Sequence, residues 1–376
     1  MWERLRHMLR KEFIQILRDP RMRAVIIVVP IVQVLIFGYA VTTDVRNIHT
    51  AVYDLDNTPQ SRDLIDRFVG SGYFQVVAWI HSEAQVRDAL DRGTAKAVLR
   101  LNRGFGDAIA AGRRAPLQIL LDGTDSNTAS LVLKYAAQIT ADYDERVLTK
   151  EVLLRTGQPP PPPPVVLSER AWFNPNLESR DYFVPGVIAL LVMVVSILLS
   201  SMAIVREKEI GTIEQIMVTP MGRLEFILGK TIPFALIGFL DVLLISLVAV
   251  FWFHVPIHGN PLLLFSCTGL FLMSTLGVGL FISTVSRTQQ QAMMTAFFFM
   301  QPAILLSGFI YPIANMPVVV QWFTYLNPLR YFLVIIRGVF LKGVGIPVLW
   351  PQMAALALLG TALLLLASSR FRKTLA

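Results

Sequence analysis

The sequence predicts a polytopic α-helical membrane protein with an α/β domain inserted between its first two membrane helices. Of its 376 residues, 54% are hydrophobic and only 16% are charged, whereas soluble domains carry about 25% charged residues. The apolar residues are also concentrated in runs of the length that a membrane-spanning helix needs. Between the first two runs lies a polar segment in which strand-like and helix-like stretches alternate, a pattern typical of α/β domains.

Six apolar runs are predicted to cross the membrane, because each supplies roughly the 20 residues that a spanning helix requires. They are residues 24–43, 182–205, 231–253, 262–285, 291–311 and 348–368. The single cysteine, Cys267, lies inside the fourth run. Disulfides therefore play no part in the predicted fold.

The distribution of positive charge predicts the orientation. Residues 1–23 carry seven lysines and arginines, and the loop 206–230 carries four. The positive-inside rule places this loop and both termini, including the tail 369–376, in the cytoplasm. Residues 44–181, with net charge −2, are then external, and the rest of the chain carries +10. This excess lies beside the spans, so we predict a lipid bilayer and no nucleic acid as the partner of the basic residues.

Residues 1–23 are predicted to form an amphipathic helix at the cytoplasmic face of the membrane. Apolar side chains recur there at spacings of three and four, and the basic side chains fall largely on the other side. Such a helix buries its apolar face at the lipid interface. An ordinary cytoplasmic helix is the alternative interpretation.

Residues 44–181 are predicted to form an external α/β domain. The runs AVYDL, YFQVVAWI, AVLRL and LQILLDG are typical of strands and alternate with helix-like stretches. Six prolines, residues 159–164, follow. They predict a stiff polyproline II linker that returns the chain to the membrane.

Asp54 and Asp56 lie in an Asp-x-Asp-x-Thr pattern that resembles the nucleophile loop of haloacid-dehalogenase-type phosphatases. In that chemistry one carboxylate attacks phosphorus and the other acts as acid and base, with Mg²⁺ between carboxylates. The alternative is a turn after a strand, because Asp and Asn favour turns and Pro59 can open a helix. A downstream acidic metal motif is missing from the sequence, which favours the turn.

Gly229-Lys230-Thr231 ends like a phosphate-binding loop, but the glycine that this motif requires five residues earlier is Leu224. Lys230 is instead predicted to extend to the lipid headgroups. His254 and His258 have the spacing of metal ligands on a helix. Because Pro256 between them breaks a helix, we predict an interfacial loop and no metal site.

The loop between the second and third spans contains a predicted short amphipathic helix. In REKEIGTIEQIMVT, isoleucines and a methionine recur with helical spacing and charged residues fill the other face, before Pro220 and Gly222 end the helix. Its charges are balanced rather than basic, which favours docking on a cytoplasmic protein over resting on lipid headgroups.

Three stretches resemble those of ABC-2-type transporter permeases. They are KEFIQILRDPR, REKEIGTIEQIMVTP and LSGFIYPIANMPVVVQWFTYLNPLRYFLVIIRGVFLKG. The similarity extends over the whole membrane part. The large domain between the first two spans resembles that of the longer bacterial members, which are found in inner-membrane drug-efflux systems.

The resemblance implies a half-transporter. Two permeases, identical or closely homologous, associate, and each contacts a separate ATP-binding cassette subunit that binds ATP and Mg²⁺. This chain itself is then expected to bind no cofactor and to catalyse no reaction. The loop 206–230 is expected to seat a coupling helix on the ATPase through the following residues: Glu207, Gly211, Thr212, Glu214, Gln215 and Pro220.

The resemblance also implies that residues 312–347 dip back into the membrane as re-entrant helices after the fifth span. Irregular backbone at that depth must be buried in protein or line a cavity. Arg330, Arg337 and Lys342 are then expected at the external mouth of a translocation path that also includes Tyr331. These cations either attract anionic or amphipathic substrate groups or anchor the domain or the interface.

Four further residues are candidates for the path inside the membrane. Asp241 is the only acidic residue from Thr231 to the C-terminus, and it lies in the third span. A charge at this depth marks either a functional site or a structural hydrogen bond. Gln301, Pro302 and Ser307 add polar or flexible points to the fifth span.

The resemblance therefore implies the permease subunit of an ATP-driven exporter in a bacterial inner membrane, which moves drug-like or amphipathic substrates outward. The external domain is predicted to engage a periplasmic adaptor and, through it, an outer-membrane channel. The alternatives are an ABC-2 exporter of a lipid or glycan, a membrane-tethered phosphatase that uses Asp54 and Asp56, and a sensor or adhesin module.

Overall fold

A computed structural model describes residues 2–18, 20–40, 47–159, 172–174, 178–212 and 222–370. The chain divides into two compact units, a helical unit of residues 1–42 with 170–376 and an α/β unit of residues 43–169. The prolines 160–164 of the predicted linker lie outside the described residues.

The helical unit begins with α1 (Trp2–Arg18), α2 (Pro20–Arg23), a π-helical segment (Ala24–Val28) and α3 (Val29–Ala40). Leu5, Met8 and Glu12 are buried on one side of α1. This buried side packs against a helix of the same unit, described below, so part of the predicted lipid-facing stripe contacts protein.

The α/β unit contains the elements β1 (Ile48–Asp54), α4 (Pro59–Gly70), β2 (Phe74–Trp79), α5 (Glu83–Asp91), β3 (Ala97–Leu101), α6 (Phe105–Ala110), β4 (Leu117–Leu121) and α7 (Ser126–Thr156). The sheet order is β2-β1-β3-β4. β1 is parallel to both neighbours, and β4 is antiparallel to β3. Because β1 is central and covered on both faces, its run from Thr50 to Tyr53 is buried throughout.

The helical unit continues with α8 (Ser179–Met202), α9 (Val205–Ile210), α10 (Arg223–Phe251), α11 (Pro261–Val285) and α12 (Gln289–Leu305). A 3₁₀ turn (Ile313–Asn315), α13 (Val318–Thr324), α14 (Pro328–Arg337), a π-helical segment (Gly338–Lys342) and α15 (Ile346–Arg370) follow. α8 is central and packs against α3, α10, α11, α12 and α14.

In the part of the chain that the structure describes, four helices are long and apolar enough to cross a membrane, namely Ser179–Ile210, Glu225–Phe251, Pro261–Val285 and Ile346–Ser369. The chain is therefore a mostly helical membrane protein. The apolar helix in the first predicted span is shorter, Ile26–Tyr39. α12 ends at Leu305, six residues before the predicted end, because Gly308 adopts a left-handed φ of 84°. The count of six spans stays a prediction.

Small residues bring α8 and α11 close together. A Cβ atom added at Gly279 of α11 would lie 1.8 Å from Ser200 Oγ and 2.8 Å from Ile197 O of α8. One turn away, Ser196 Oγ donates a hydrogen bond of 2.9 Å to Thr275 Oγ1. Close backbone approach and interhelical hydrogen bonds are the main sources of helix association inside a bilayer.

Candidate functional site

A group of charged and polar residues around the buried Glu207 and Lys230 joins α9 to the start of α10 and to α1, and we call it the Glu207 junction. It consists of Lys11, Glu12, Glu207, Thr212 and Lys230. Glu207 Oε1 accepts from Lys230 Nζ at 2.8 Å and from Lys11 Nζ at 2.9 Å. Its other oxygen accepts from the Thr212 hydroxyl. Glu207 is 4% exposed, so its charge is balanced inside the protein.

Lys230 is the centre of the Glu207 junction. Its ammonium also donates to Glu12 Oε1 at 2.8 Å, and its side chain is only 3% exposed. The prediction that Lys230 extends to the lipid headgroups is therefore wrong. Gly229 lets α1 approach, because a Cβ atom there would lie 2.4 Å from Met8 Sδ. Gly229 and Lys230 thus belong to a helix contact and not to a phosphate-binding loop.

The two residues after Glu207 tie α9 to the turn between α11 and α12. Lys208 Nζ donates to the carbonyls of Thr284 at 2.9 Å and Ser286 at 3.1 Å, and this places a cation at the C-terminus of α11. Glu209 accepts from the backbone N–H of Gln289 at 3.0 Å, which places an anion at the N-terminus of α12. α9 is therefore bonded to the facing ends of both helices.

The structure places three of the six predicted coupling residues. Glu207 and Thr212 contact each other, and Gly211 ends α9 with a left-handed φ of 80°. Glu214, Gln215 and Pro220 lie outside the described residues. Sequence analysis missed Lys11, Glu12 and Lys230, because their partners lie far along the chain. The apolar residues that surround Lys230 in the sequence were the signal that could have indicated a buried lysine with an acidic partner.

Asp241 is completely buried on α10, on the same stripe as Ile237 and Ile245. Neither carboxyl oxygen has a hydrogen-bond partner among the described residues. The hydroxyl of the buried Ser246 is unpartnered in the same set. The structural hydrogen bond that the sequence left open as the role of Asp241 is therefore not found in the described part of the chain.

The other predicted path residues differ in burial and in their hydrogen-bond partners. Gln301 and Pro302 are exposed on α12, whereas Ser307 is buried and its hydroxyl donates to Ile304 O at 2.7 Å. Tyr331 donates to Tyr325 O at 2.9 Å.

Both arginines of this region are held against aromatic rings. The Arg330 guanidinium lies 4.0 Å from the centroid of Tyr325, and it also donates to the Thr324 hydroxyl. The Arg337 guanidinium lies 3.8 Å from the centroid of Tyr182 on α8. Cation–π contacts of this kind anchor the arginines. The contacts of Arg330 fit the anchoring interpretation, whereas Arg337 Nε and Nη2 have no hydrogen-bond partner among the described residues.

Asp54 and Asp56 both stabilise local backbone in the α/β unit. Asp54 accepts from the backbone of Asp56 and Asn57 and from Ser61 Oγ, at 2.7–3.0 Å. Asp56 accepts from three successive backbone N–H groups at the start of α6, those of residues 104–106, at 2.6–3.1 Å. These bonds fit the turn interpretation, and they occupy the oxygens that a phosphatase needs free.

The α/β unit should lose stability in acid because of Asp56. Partial burial opposes its ionisation, but hydrogen bonds from Thr58 and from the backbone of Gly106, Gly104 and Phe105 outweigh this and lower its pKa below 3.8. Because the pKa of Asp56 is lower in the folded than in the unfolded protein, its contribution to stability is fully present above the unfolded-state pKa. This contribution is lost as the pH falls through the folded-state pKa. We expect Asp56→Asn to cost about 1 kcal/mol at pH 7 and to remove this acid dependence. Thermal unfolding between pH 7 and pH 2 measures both effects, and an unchanged pH profile in the variant would contradict the assignment.

Comparison with known proteins decides the family. Residues 20–368 match the family model described as ABC-2 family transporter protein. The chain belongs to this family. Membrane subunits of the family are not catalytic, since ATP hydrolysis takes place in a separate ATP-binding subunit with which the permease assembles.

Several relatives cover most of the permease. It is 33% identical over 366 residues to the probable multidrug ABC transporter permease YbhR of Escherichia coli (strain K12), which is 96% of this chain and 97% of that protein. It is also 33% identical over 352 residues to the probable multidrug ABC transporter permease YbhS of the same organism, covering 92% and 90%. The linearmycin resistance permease protein LnrN of Bacillus subtilis (strain 168) is 20% identical over 331 residues, covering 81% and 83%.

Proposed function

We propose that this permease is the membrane subunit of an ATP-driven exporter that moves drug-like or amphipathic substrates outward across a bacterial inner membrane. Both termini are cytoplasmic in this proposal, and ATP and Mg²⁺ are bound by the partner subunit. The α/β unit is external and engages a periplasmic adaptor that leads to an outer-membrane channel. The positive charge near α1 and α9 supports the orientation.

The observation that carries the proposal is the Glu207 junction. α9 is bonded to α1, α10, α11 and α12 through only three consecutive side chains, those of residues 207–209. A force applied to this short helix by an ATPase would therefore reach four helices of the bundle at once. Packed polar networks of this kind move as units rather than deform continuously.

The chemistry of the bundle supports an apolar or amphipathic substrate. A groove of about 580 Å³ lies between α11, α12, α13 and α15 and is lined mainly by apolar side chains, among them Phe281, Phe298 and Phe299. Two of the relatives are named as probable multidrug permeases. A lipid would also fit an apolar groove, but none of the compared names given above refers to a lipid or glycan.

The exposed face of α12 supports association with a second permease. Met294, Phe298, Gln301 and Leu305 form an exposed stripe along this helix. The Gln301 amide in the middle of this apolar stripe costs free energy when it faces lipid, and it stabilises a helix pair when it forms a hydrogen bond across it. We therefore place a second copy, or a close homologue, against α12.

Co-expression with an ATP-binding partner tests the proposal. The purified complex should hydrolyse ATP faster in the presence of amphipathic drugs and should export them from proteoliposomes. Glu209→Lys repels the N-terminus of α12 and should lower export about tenfold while drug-independent hydrolysis continues. Glu145→Lys on α7, an exposed glutamate in the other unit, is the control. Failure of any ATPase to co-purify, or normal export by Glu209→Lys, would overturn the proposal.

Asp241 should be needed for export although it weakens the fold. An unpartnered buried polar group costs roughly 1–3 kcal/mol, so Asp241→Leu should raise the thermal stability of the permease. The same change should abolish drug export if the carboxyl group serves the path. Asp241→Asn keeps the shape and polarity and should lower export about tenfold by removing the ability to ionise. Export at the unaltered rate by both variants would leave Asp241 with no functional role.

A further inference from the structure

A polar cleft lies at the end of the helical unit opposite to the Glu207 junction. α8 begins at this cleft and ends at α9, whereas α10 begins beside the junction and ends at the cleft. The cavity has a volume of about 560 Å³ and is bounded by three parts of the unit. These are the start of α8, the loop between α10 and α11, and the π-helical segment Gly338–Lys342.

Backbone hydrogen bonds join the loop between α10 and α11 to the segment Gly338–Lys342 beside the cleft. The N–H groups of His258 and Gly259 donate to the carbonyls of Phe340 and Val339 at 3.0 and 2.9 Å. His258 Nδ1 lies 3.1 Å from the same Phe340 carbonyl, so this nitrogen carries the proton and donates. The imidazole is thereby fixed with Nε2 as its remaining polar atom.

Charges of both signs face the cleft, and only some of them pair with each other. Glu178 and Arg180 form an ion pair with each other at the start of α8. Asp181 and Lys342 also line the cleft, and neither has an ion-pair partner among the described residues. Lys342 instead lies 5.8 Å from the ring centroid of Phe173. With neutral histidines, the cleft is therefore balanced overall but locally split into an anionic and a cationic side.

Exposed aromatic side chains surround this end of the bundle. Trp172, Tyr182 and Trp252 are 72%, 40% and 59% exposed, and Trp252 Nε1 donates to the exposed Tyr39 hydroxyl at 2.9 Å. Amphipathic aromatic residues concentrate at the depth of the lipid headgroups. The cleft thus opens at headgroup depth, where a ligand with separated opposite charges is abundant.

We propose that this cleft binds the headgroup of a zwitterionic phospholipid with a primary ammonium group, as in phosphatidylethanolamine. The phosphate lies against Lys342, and the ammonium donates to the Asp181 carboxylate. Bound in this way, the lipid bridges the two unpaired charges and joins the start of α8 to the segment Gly338–Lys342. The inference depends on membrane insertion alone and does not require that the permease exports drugs.

Native mass spectrometry of the full-length permease tests the site. The protein is purified in detergent with equal amounts of dioleoyl-phosphatidylethanolamine and dioleoyl-phosphatidylcholine. We expect one retained phosphatidylethanolamine per chain, because a quaternary ammonium cannot donate hydrogen bonds to Asp181. Lys342→Gln and Asp181→Asn should each reduce retention about tenfold, the loss expected from one charge-assisted contact. Lys342→Arg should restore it.

A control variant and a competition experiment complete the test. Arg287→Gln, which removes an exposed cation at the other end of α11, should leave retention unchanged. Millimolar phosphoethanolamine or inorganic phosphate should not displace the lipid, and displacement would assign the cleft to a soluble phosphate ester. The proposal would be overturned if both lipids were retained equally, or if Lys342→Gln and Asp181→Asn retained as much phosphatidylethanolamine as the unaltered protein. Drug export is not part of the readout, so failure here is distinguishable from failure of the proposed function.

Discussion

Replacing Lys230 with methionine will destabilise the permease by about 3–5 kcal/mol, because it leaves two buried carboxylates without their shared cation. Glu12 and Glu207 are 4% exposed and both bond to Lys230 Nζ at 2.8 Å. Methionine has a similar length, so the effect reports the charge more than the packing. Unfolding in mixed micelles of mild and denaturing detergent, followed by tryptophan fluorescence, measures the change.

Lys11→Met is the matched control, because Lys11 pairs with the same Glu207 oxygen but is 50% exposed. A half-exposed ion pair contributes about 1 kcal/mol or less, so this variant should remain close to the unaltered protein. Neutralising both carboxylates as well, in Lys230→Met with Glu12→Gln and Glu207→Gln, should recover much of the lost stability. Equal effects of Lys230→Met and Lys11→Met would show that burial does not determine the strength of the junction.

Replacing Gly279 with alanine will cost about 2–3 kcal/mol, a large effect for one methyl group. The added carbon would lie 1.8 Å from Ser200 Oγ and 2.8 Å from the carbonyl oxygen of Ile197. The hydroxyl cannot move freely, since it donates to Ser196 O at 2.6 Å, and the carbonyl belongs to the backbone of α8. The two central helices must therefore separate.

Gly269→Ala makes the same change on the same helix and is the control. A Cβ atom there meets only Phe239 Cζ, at 3.3 Å. Alanine favours a helix over glycine by roughly 1 kcal/mol in soluble helices, so this variant should be neutral or more stable. The same unfolding assay compares the two variants, and a tolerated Gly279→Ala would mean that α8 and α11 adjust more easily than their contacts suggest.

Local patterns in the sequence were sufficient to locate the regular elements. The four strand-like runs overlap β1 to β4, although β1 begins three residues earlier than its run, and four of the six predicted spans overlap helices long enough to cross a membrane. The length of a hydrophobic run and the alternation of apolar and polar residues are properties of neighbouring residues. They can therefore be recognised without knowledge of the tertiary fold. The shorter end of α12 was missed, because the left-handed Gly308 that follows it is one of many glycines that could adopt that conformation.

The candidate site was predicted only in part. The loop around Glu207 was found from its amphipathic pattern. The Glu207 side chain was expected to contact the ATPase, and in the structure it is buried within this chain. Its bond partner Lys230 was read as a headgroup anchor. A buried cation and a snorkelling cation have the same sequence signature at the end of a span, and only the position of the opposing carboxylates separates them.

The membrane class, the inserted α/β domain and the positions of the main helices follow from the sequence, because they depend on composition and on spacing along the chain. The family was indicated separately, by the resemblance of three stretches to known permeases. The tertiary structure decided which charges pair. Glu12 and Lys230 are 218 residues apart in the chain and 2.8 Å apart in space. Asp54 and Asp56 acquired turn and helix-cap roles, and Asp181 and Lys342 came to face one cleft, for the same reason. Electrostatic interactions act over a few ångströms of space, and the fold alone sets those distances.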